Sequence, residues 1–150
     1  MSTQSDSKDR LRLWIRLLRS SRSVENEIRE RLRKEFDVTL PRFDVMAALF
    51  RKPDGMLMSE LSRYLMVSNG NVTGIVDRLV ADGQVERAKR NGDRRTSMVR
   101  LTARGHLDFE RMARIHETWV NELFADLSTS EVETVSSVLH SFNDQREARA

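Results

Sequence analysis

The stretch of residues 58–101 constrains the fold of this chain more than any other part of it. It begins with two short segments of helical periodicity, Glu60–Leu65 and Asn69–Asp82, which the three residues Met66-Val-Ser68 separate. Two short helices joined by a turn of this length are typical of a helix-turn-helix. We therefore predict a helix-turn-helix in this part of the chain. Its second helix is expected to bury Val72, Ile75 or Val76, Leu79 and Val80, and to stop at Gly83.

A β-hairpin is predicted directly after the second of these helices. Gln84–Ala88 and Ser97–Leu101 have the character of strands, and Asn91-Gly92 between them is a strong two-residue hairpin signal. The segment Glu86–Arg100 holds six basic and two acidic residues, so it is more positive than the whole chain, whose net charge is +3. Positive charge concentrated in one loop favours a polyanionic partner, although a solvated hairpin tip is the alternative on charge alone.

Long helices are predicted on both sides of this region. A helix over residues 8–36 would be roughly 43 Å long at about 1.5 Å per residue, which exceeds what one small domain can cover. Part of its apolar stripe is therefore predicted to contact a second copy of the chain. Thr39, Ser59, Ser68, Thr102 and Ser128 stand at favourable N-cap positions, with a capping box from Ser128 to Glu131, so helices are expected to begin after them. We also expect disorder at residues 1–7, a brief strand at residues 56–58 and fraying of residues 143–150. The predicted fold class is mainly α with a small β-hairpin wing, a winged helix-turn-helix with flanking N-terminal and C-terminal helices.

Composition excludes several classes of function. The chain has no cysteine, which argues against a disulfide framework, a thiolate metal site and a thiol redox switch. Its three histidines lack the short spacing of a metal site, and no Ser-His-Asp order, phosphate-binding glycine loop or His-Glu-x-x-His pattern is present. We expect no enzymatic activity, no metal and no cofactor. Met1–Lys8 lacks the apolar core of a secretion signal, and no apolar run reaches about 18 residues, so a cytoplasmic protein without a membrane partner is expected.

The second helix of the predicted helix-turn-helix carries side chains suited to reading DNA. A recognition helix enters the major groove with its N-terminal residues toward the base edges, and asparagine can pair bidentately with adenine. The outward positions predicted to contact DNA are Ser68, Asn69, Asn71, Thr73 and Arg78. Gly70 and Gly74 share one face of this helix. Either they let the backbone approach DNA closely or packing tolerates them, and the sequence leaves both interpretations open.

The predicted hairpin supplies a second set of DNA contacts. An arginine at the tip of a β-ribbon can enter the minor groove, where narrow A·T stretches concentrate negative potential. Asp93 can orient such a guanidinium through a charge-assisted hydrogen bond, while the basic side chains nearby reach phosphates and supply affinity without sequence information. The residues assigned to this set are Lys89, Arg90, Asp93, Arg94 and Arg95.

Several segments of this region match a pattern known from DNA-binding regulators. They are Met58-Ser-Glu-Leu61, Val67-Ser-Asn-Gly-Asn-Val-Thr73, Val76-Asp-Arg-Leu79, Gly83-Gln-Val-Glu-Arg87, Asp93-Arg-Arg95 and Leu101-Thr-Ala-Arg-Gly105. Through them the chain resembles the MarR family of winged-helix transcription regulators, and the resemblance covers about residues 8–145. It implies that the helix beginning near Ser68 enters the major groove, and that Arg95, supported by Asp93, enters the minor groove.

The resemblance also implies how the chain is organised. In the MarR family the first helix and the last two helices form a dimer interface. The chain is therefore predicted to be one domain over residues 1–150, with a winged helix-turn-helix lobe at about 38–102 and dimerisation helices at about 8–36 and 103–145.

An effector site is a further implication of the resemblance. In the family, small molecules bind where the dimer helices meet the DNA-binding lobe, and they are often phenolic or aromatic acids or, in some regulators of aromatic degradation, acyl-CoA thioesters. The candidate residues in this sequence are Trp14, Leu18, Arg19, Phe43, Met46, Phe50, Phe109 and Met112. For the apolar members of this set, packing in the core is the competing interpretation.

Three hypotheses about function follow. The first is a homodimeric, sequence-specific regulator that binds double-stranded DNA and acts as a repressor released by a small molecule. Two-fold symmetry would give it a pseudo-palindromic operator with half-sites about one helical turn apart. The alternative is a non-specific architectural DNA-binding protein that uses the same basic wing. A helical protein-interaction module with an incidental charged hairpin is the third.

Overall fold

The computed structural model describes residues 4–65, 69–89 and 97–150, and of Asn69, Gly70 and Lys89 it describes the backbone alone. Within these ranges the elements in chain order are α1 (Gln4–Phe36), α2 (Leu40–Phe50), β1 (Met56–Leu57), α3 (Met58–Leu65), α4 (Asn69–Ala81), β2 (Val85–Lys89), β3 (Ser97–Leu101), α5 (Ala103–Leu123) and α6 (Thr129–Arg149). The fold is mainly helical with a small antiparallel sheet, which confirms the predicted fold class.

The helix-turn-helix is built on one buried stripe of α4. Val72, Val76 and Leu79 are fully buried, and α4 packs against both α2 and α3. Burial of Val80 was also expected from the sequence, but this side chain is 37% exposed. Successive residues of a helix are turned by about 100°, so a valine directly after Leu79 lies off the stripe.

The end of α4 confirms the predicted stop at Gly83. This residue has a φ of +73°, in the left-handed region that glycine adopts at little cost. The amide of Gln84 donates to the carbonyl oxygen of Leu79 at 2.9 Å, and that of Gly83 donates to Val80 at 3.0 Å. These two bonds form a Schellman motif, which satisfies the last carbonyl groups of the helix.

The small sheet has the strand order β1-β3-β2, and both pairs of neighbours are antiparallel. In β1, Met56 lies opposite Val99, and in β2, Val85 lies opposite Leu101. The brief strand suspected at residues 56–58 is therefore present over two residues, and Met58 begins α3 instead. The hairpin signal Asn91-Gly92 lies outside the described residues.

Three of the N-caps predicted from hydroxyl side chains, at Thr39, Thr102 and Ser128, are confirmed. The predicted cap at Ser59 is wrong, because α3 already begins at Met58, and Ser68 lies outside the described residues. The hydroxyl of Thr39 accepts from the amide of Arg42 at 3.4 Å. Before α5, the hydroxyl of Thr102 accepts from the amide of Gly105 at 3.0 Å. Ser128 forms the predicted capping box with Glu131, whose amide donates to the serine hydroxyl at 3.2 Å. Hydrogen bonds from Ser128 lower the pKa of the Glu131 carboxyl, because they stabilise its charged form.

Helical structure extends further toward both ends than the sequence predicted. Disorder was expected through residue 7, but α1 begins at Gln4. Fraying was expected after residue 143, but α6 continues to Arg149. Asp6 lies in the first turn of α1, and Arg146 and Arg149 lie in the last turn of α6. At these positions a negative and a positive charge, respectively, interact favourably with the helix dipole.

The chain separates into two compact units, with the boundary between His116 and Glu117 inside α5. In the first unit, the N-terminal half of α1 leaves Leu11, Leu13, Trp14 and Ile15 exposed, whereas Ile28 and Leu32 in its other half are buried. In the second unit, α6 exposes the apolar side chains Val132, Val135, Val138, Leu139 and Phe142. The predicted lobe boundaries near residues 38 and 102 stay a prediction. In the described parts of the chain, no helix is long and apolar enough to cross a membrane.

Candidate nucleic-acid interface

The outward face of α4 is the first part of the candidate interface. Asn71, Thr73 and Arg78 are exposed, on a helix whose opposite side is anchored by the buried stripe. Ser68 lies outside the described residues, and for Asn69 only the backbone at the start of α4 is described. The backbone amides in the first turn of a helix have no acceptor within the helix. The N-terminus of α4 therefore carries a partial positive charge that favours an anion such as a phosphate.

Ion pairs fix the base of the wing. Arg87 of β2 donates to the carboxylate of Asp77 in the middle of α4, which ties the strand directly to the helix. Across the hairpin, Arg100 of β3 donates to Glu86 of β2 at 2.7 Å, and the two residues are register partners. The wing therefore has a defined attachment to α4. Of the residues predicted to grip DNA, Arg90, Asp93, Arg94 and Arg95 lie outside the described residues, and Lys89 is described only as the end of β2.

A hydrogen-bonded junction holds the segment between α4 and β2. Arg42, in the first turn of α2, donates to the carboxylate of Asp82 and also to Oε1 of Gln84 at 3.3 Å. The Nε2 group of Gln84 donates to Asp108 of α5 at 3.1 Å. The amide of Thr102 donates to the carbonyl oxygen of Gln84 at 3.0 Å. We call residues 82–84 with these partners the junction, because it links α2, α4, β2 and α5.

Three of the apolar residues suggested for an effector site, Phe43, Phe50 and Phe109, form an aromatic cluster. The ring of Phe109 lies 5.3 Å from that of Phe43 and 5.0 Å from that of Phe50, measured between centroids. Met46 and Met112 are buried as well. The structure therefore brings the three rings of α2 and α5 together and buries both methionines, which agrees with the competing core interpretation. Their use as ligand contacts stays a prediction.

The other three effector candidates lie on α1. Trp14 is 57% exposed, Arg19 is exposed, and Leu18 is half-buried. Their use as ligand contacts stays a prediction.

Two histidines border the aromatic cluster. The ring of His116 lies 4.6 Å from Phe43, and that of His106 lies 4.6 Å from Phe50. Burial lowers the pKa of His116, because the charged imidazolium loses solvation there. No group of three metal-ligating side chains occurs in the ranges that the structure describes.

A cleft of about 740 Å³ opens between α1, α2 and α4. Its lining combines four arginines and two acids with apolar side chains: Glu25, Arg29, Arg33, Val38, Thr39, Leu40, Pro41, Arg42, Asp44, Leu65, Asn71, Ile75 and Arg78. The described lining includes none of the eight effector candidates. Asn71 and Arg78 also lie on the outward face of α4, so the cleft borders the candidate DNA contacts.

Asp44 is the unusual titratable group of this cleft. The residue as a whole remains exposed, yet desolvation against the cleft wall raises the pKa of its carboxyl from 3.8 to about 6. The negative charge of Glu25 raises it further, and the guanidinium of Arg29 opposes the shift. Arg42 has a buried Nε for which the described residues offer no acceptor. An organic anion with an apolar body would match this mixture of arginines and aliphatic side chains.

Comparison with known proteins identifies the family. A model of the MarR family matches residues 36–96. The multiple antibiotic resistance protein MarR of Escherichia coli is 31% identical over 119 residues, which cover 76% of this chain and 82% of that protein. The chain belongs to the MarR family.

This MarR-family chain is also similar to a curated regulator and to a solved structure. The transcriptional activatory protein BadR of Rhodopseudomonas palustris is 34% identical over 98 residues, which span 63% of this chain but only 56% of BadR. The solved MarR family transcriptional regulator of Silicibacter pomeroyi is 32% identical, with a TM-score of 0.80 over 97% of this chain and 99% of that one. Since these relatives are transcriptional regulators, the expectation that the chain is not an enzyme is confirmed.

Sequence reasoning missed the cleft and the junction of this MarR-family chain. Arg29 and Arg33 are four residues apart, so their placement on one face of α1 was available from helical spacing. The link from Arg42 to Asp82 joins residues 40 positions apart, and no local pattern indicates it. The raised pKa of Asp44 likewise depends on its tertiary neighbours and has no signal in the sequence.

Proposed function

We propose that the chain is a DNA-binding transcriptional regulator that reads a specific double-stranded operator with α4 and grips it with the wing. The observation that carries this proposal is the outward face of α4, where Asn71, Thr73 and Arg78 are exposed on a helix anchored by buried valines. The ion pair between Arg87 and Asp77 supports the proposal further, because it links β2, at the base of the wing, to α4. Membership of the MarR family agrees with it.

In this proposal the working form is a homodimer. The exposed apolar side chains of α1 and of α6 support a contact between two copies, because contiguous apolar faces of this kind are uncommon on monomers. An isologous dimer would present two α4 helices, so its operator would be pseudo-palindromic, with half-sites about one helical turn apart.

A small-molecule effector completes the proposal. Its expected class is an aromatic acid or the corresponding acyl-CoA thioester, and the arginine-lined cleft beside α4 suits the carboxylate or phosphate of either. Release of DNA would be a population shift, in which the ligand binds better to a dimer whose two α4 helices no longer match adjacent major grooves. We propose that the chain represses transcription in the cytoplasm. BadR is named as an activator, so activation is the alternative.

Selection from a random duplex pool tests the proposal. The full chain should enrich one pseudo-palindromic consensus and bind it at least about a thousandfold more tightly than unrelated DNA. Equal affinity for consensus and unrelated duplex would instead identify a non-specific architectural protein. No DNA binding at low salt would favour the protein-interaction module and reject the proposal.

A wing variant and a ligand panel sharpen this test. Arg95→Ala should weaken binding of the consensus while the far-ultraviolet circular dichroism spectrum stays unchanged. An unaltered affinity would reject the minor-groove assignment. Benzoate, 4-hydroxybenzoate and benzoyl-CoA, added to the complex, should reveal which class releases DNA, and release by none of them would reject the effector assignment.

A further inference from the structure

Gly74 occupies the middle of α4, yet nothing in the described protein requires a glycine there. A Cβ added at this position would meet no heavy atom of the described residues within 4 Å. Its φ is not positive, in contrast to those of Gly55 and Gly83. Packing and backbone conformation therefore both permit a side chain, although glycine weakens the interior of a helix relative to alanine.

Gly74 lies on the face of α4 that points away from the protein core. Val72 and Val76, each two residues away, are fully buried. Two residues correspond to about 200° around a helix, so Gly74 lies at the centre of the outward face. Asn71 and Arg78, both exposed, lie beside it on that face.

The width of the major groove makes the size of the residue at this position important. The groove is about 12 Å wide, and a helix with side chains has a diameter of about 10–12 Å, so the residue facing the groove floor limits how deeply the helix enters. Removing a Cβ allows an approach closer by about one carbon–carbon bond, or roughly 1.5 Å. Asn71 and Thr73 have short side chains, which reach base edges only from a deeply seated backbone.

We propose that Gly74 is a specificity-determining position at which the bare backbone of α4 packs against the 5-methyl group of a thymine in each half-site. The inference rests on the proposed function and names the base feature that this face of α4 reads. The exposed surface of a glycine in a helix is its apolar Cα, and the thymine methyl is the apolar feature of the major groove. A methyl group added to the protein would occupy the space of the methyl group of the base.

The variant Gly74→Ala separates this role from a structural one. It should raise Tm by roughly 2–4 °C, because alanine favours the helix and its Cβ stands in open space. Affinity for the consensus selected by the wild-type chain should fall at least about tenfold, the scale of one lost base-pair contact, while affinity for a scrambled duplex stays within about twofold. Val80→Ala is the matched control: it changes an exposed residue of the same helix off its outward face, and should leave both affinities unchanged.

Substituting deoxyuridine for thymidine at single positions of the consensus tests the methyl contact itself. At one position in each half-site, loss of the methyl group should weaken binding of the wild-type chain several-fold but strengthen binding of Gly74→Ala. A consensus without any such reversal of sign would overturn the inference, and so would an unchanged affinity or a lowered Tm of Gly74→Ala. If the wild-type chain selects no consensus, the proposed function fails instead.

Discussion

Gly105, in the first turn of α5, packs directly against the backbone of Gln84, so that a Cβ at Gly105 would stand 1.9 Å from the Gln84 carbonyl oxygen. The same oxygen accepts the amide of Thr102, and the hydroxyl of Thr102 donates to the carbonyl of Gly83 at 2.7 Å. The Leu-Thr-x-x-Gly segment thereby fastens α5 to the segment between α4 and β2. The close backbone contact explains why residue 105 is a glycine. No such contact exists at Gly74 within the described parts of the chain.

Gly105→Ala should destabilise the protein. The added methyl group cannot fit without moving backbone, so the free energy of unfolding should fall by about 1–3 kcal/mol. Urea unfolding followed by circular dichroism measures this change, and Gly74→Ala is the control in which the same substitution meets open space. Equal effects of the two substitutions would contradict the contrast between the two sites.

The junction predicts coupling between Arg42 and Asp82. Either single substitution, Arg42→Ala or Asp82→Ala, should loosen the C-terminal end of α4, and a double-mutant cycle should give a coupling energy of up to about 1 kcal/mol, because Asp82 is 55% exposed. Operator affinity should fall in both variants, since the junction orients α4. Strictly additive effects on unfolding and on binding would show that the pair does not act as a unit.

Asn71 and Arg78 should differ in what they contribute to DNA binding. In the proposed complex Asn71 contacts a base, so Asn71→Ala should relax base preference at one position and weaken the consensus by a factor corresponding to about 1–3 kcal/mol. If Arg78 instead contacts phosphates, Arg78→Ala should weaken all duplexes similarly and reduce the slope of log affinity against log salt by about 1. Fluorescence anisotropy at several salt concentrations separates the two. Equal losses on consensus and scrambled DNA for Asn71→Ala would mark it as a positioning contact.

The dimer proposal predicts the effect of a charge on α6. Val138 is 62% exposed, so Val138→Glu should be harmless to a monomer. In a dimer that buries this side chain, an unpaired carboxylate would raise the dissociation constant at least tenfold, or about 1.4 kcal/mol. Sedimentation velocity measures the oligomeric state, and Glu133→Gln, on the same helix, is the control. An unaffected association, or a wild-type chain that sediments as a monomer, would remove α6 from the interface.

Asp44 makes stability depend on pH in a defined direction. Because its pKa is raised to about 6, the folded chain holds this proton more tightly than the unfolded chain does. The resulting stabilisation is fully present below about pH 3.8 and is lost as the pH rises through about 6. Relative to Asp44→Asn, which cannot titrate, the wild-type chain should therefore lose stability between those values. The loss should be at most about 1 kcal/mol, since water screens an exposed carboxylate.

Urea unfolding of both proteins across this pH range measures the difference. The same comparison in a Glu25→Gln background should give a smaller change, because Glu25 contributes to the raised pKa. A difference between wild type and Asp44→Asn that does not vary with pH would contradict the assignment.

Local patterns predicted most of the secondary structure correctly. The strand Ser97–Leu101, the caps at Thr39, Thr102 and Ser128, and the stop at Gly83 all depend on residues within a few positions of one another, so the sequence carries them directly. Charges that interact favourably with the helix dipole extend α1 and α6 toward the termini, a contribution that the polar composition of these segments does not reveal.

The sequence predicted which side chains of α4 face outward, but not what packs around this helix. Helical periodicity alone indicated that Asn71, Thr73 and Arg78 point outward, and all three are exposed. The contacts among the rings of Phe43, Phe50 and Phe109 depend on how α2 meets α5, which no local pattern records.

Local patterns of residues predict the order of the elements, the buried stripe of α4, the outward-facing side chains and the motifs that mark the family. Each of these depends on neighbours along one helix, strand or turn. The three-dimensional fold was needed to show that packing requires a glycine at Gly105 but not at Gly74, that Arg42 reaches Asp82, and that a cleft borders α4. The reason is physical: steric fit, ion pairing and desolvation depend on which atoms stand nearby in space, and those atoms come from residues far apart in the chain.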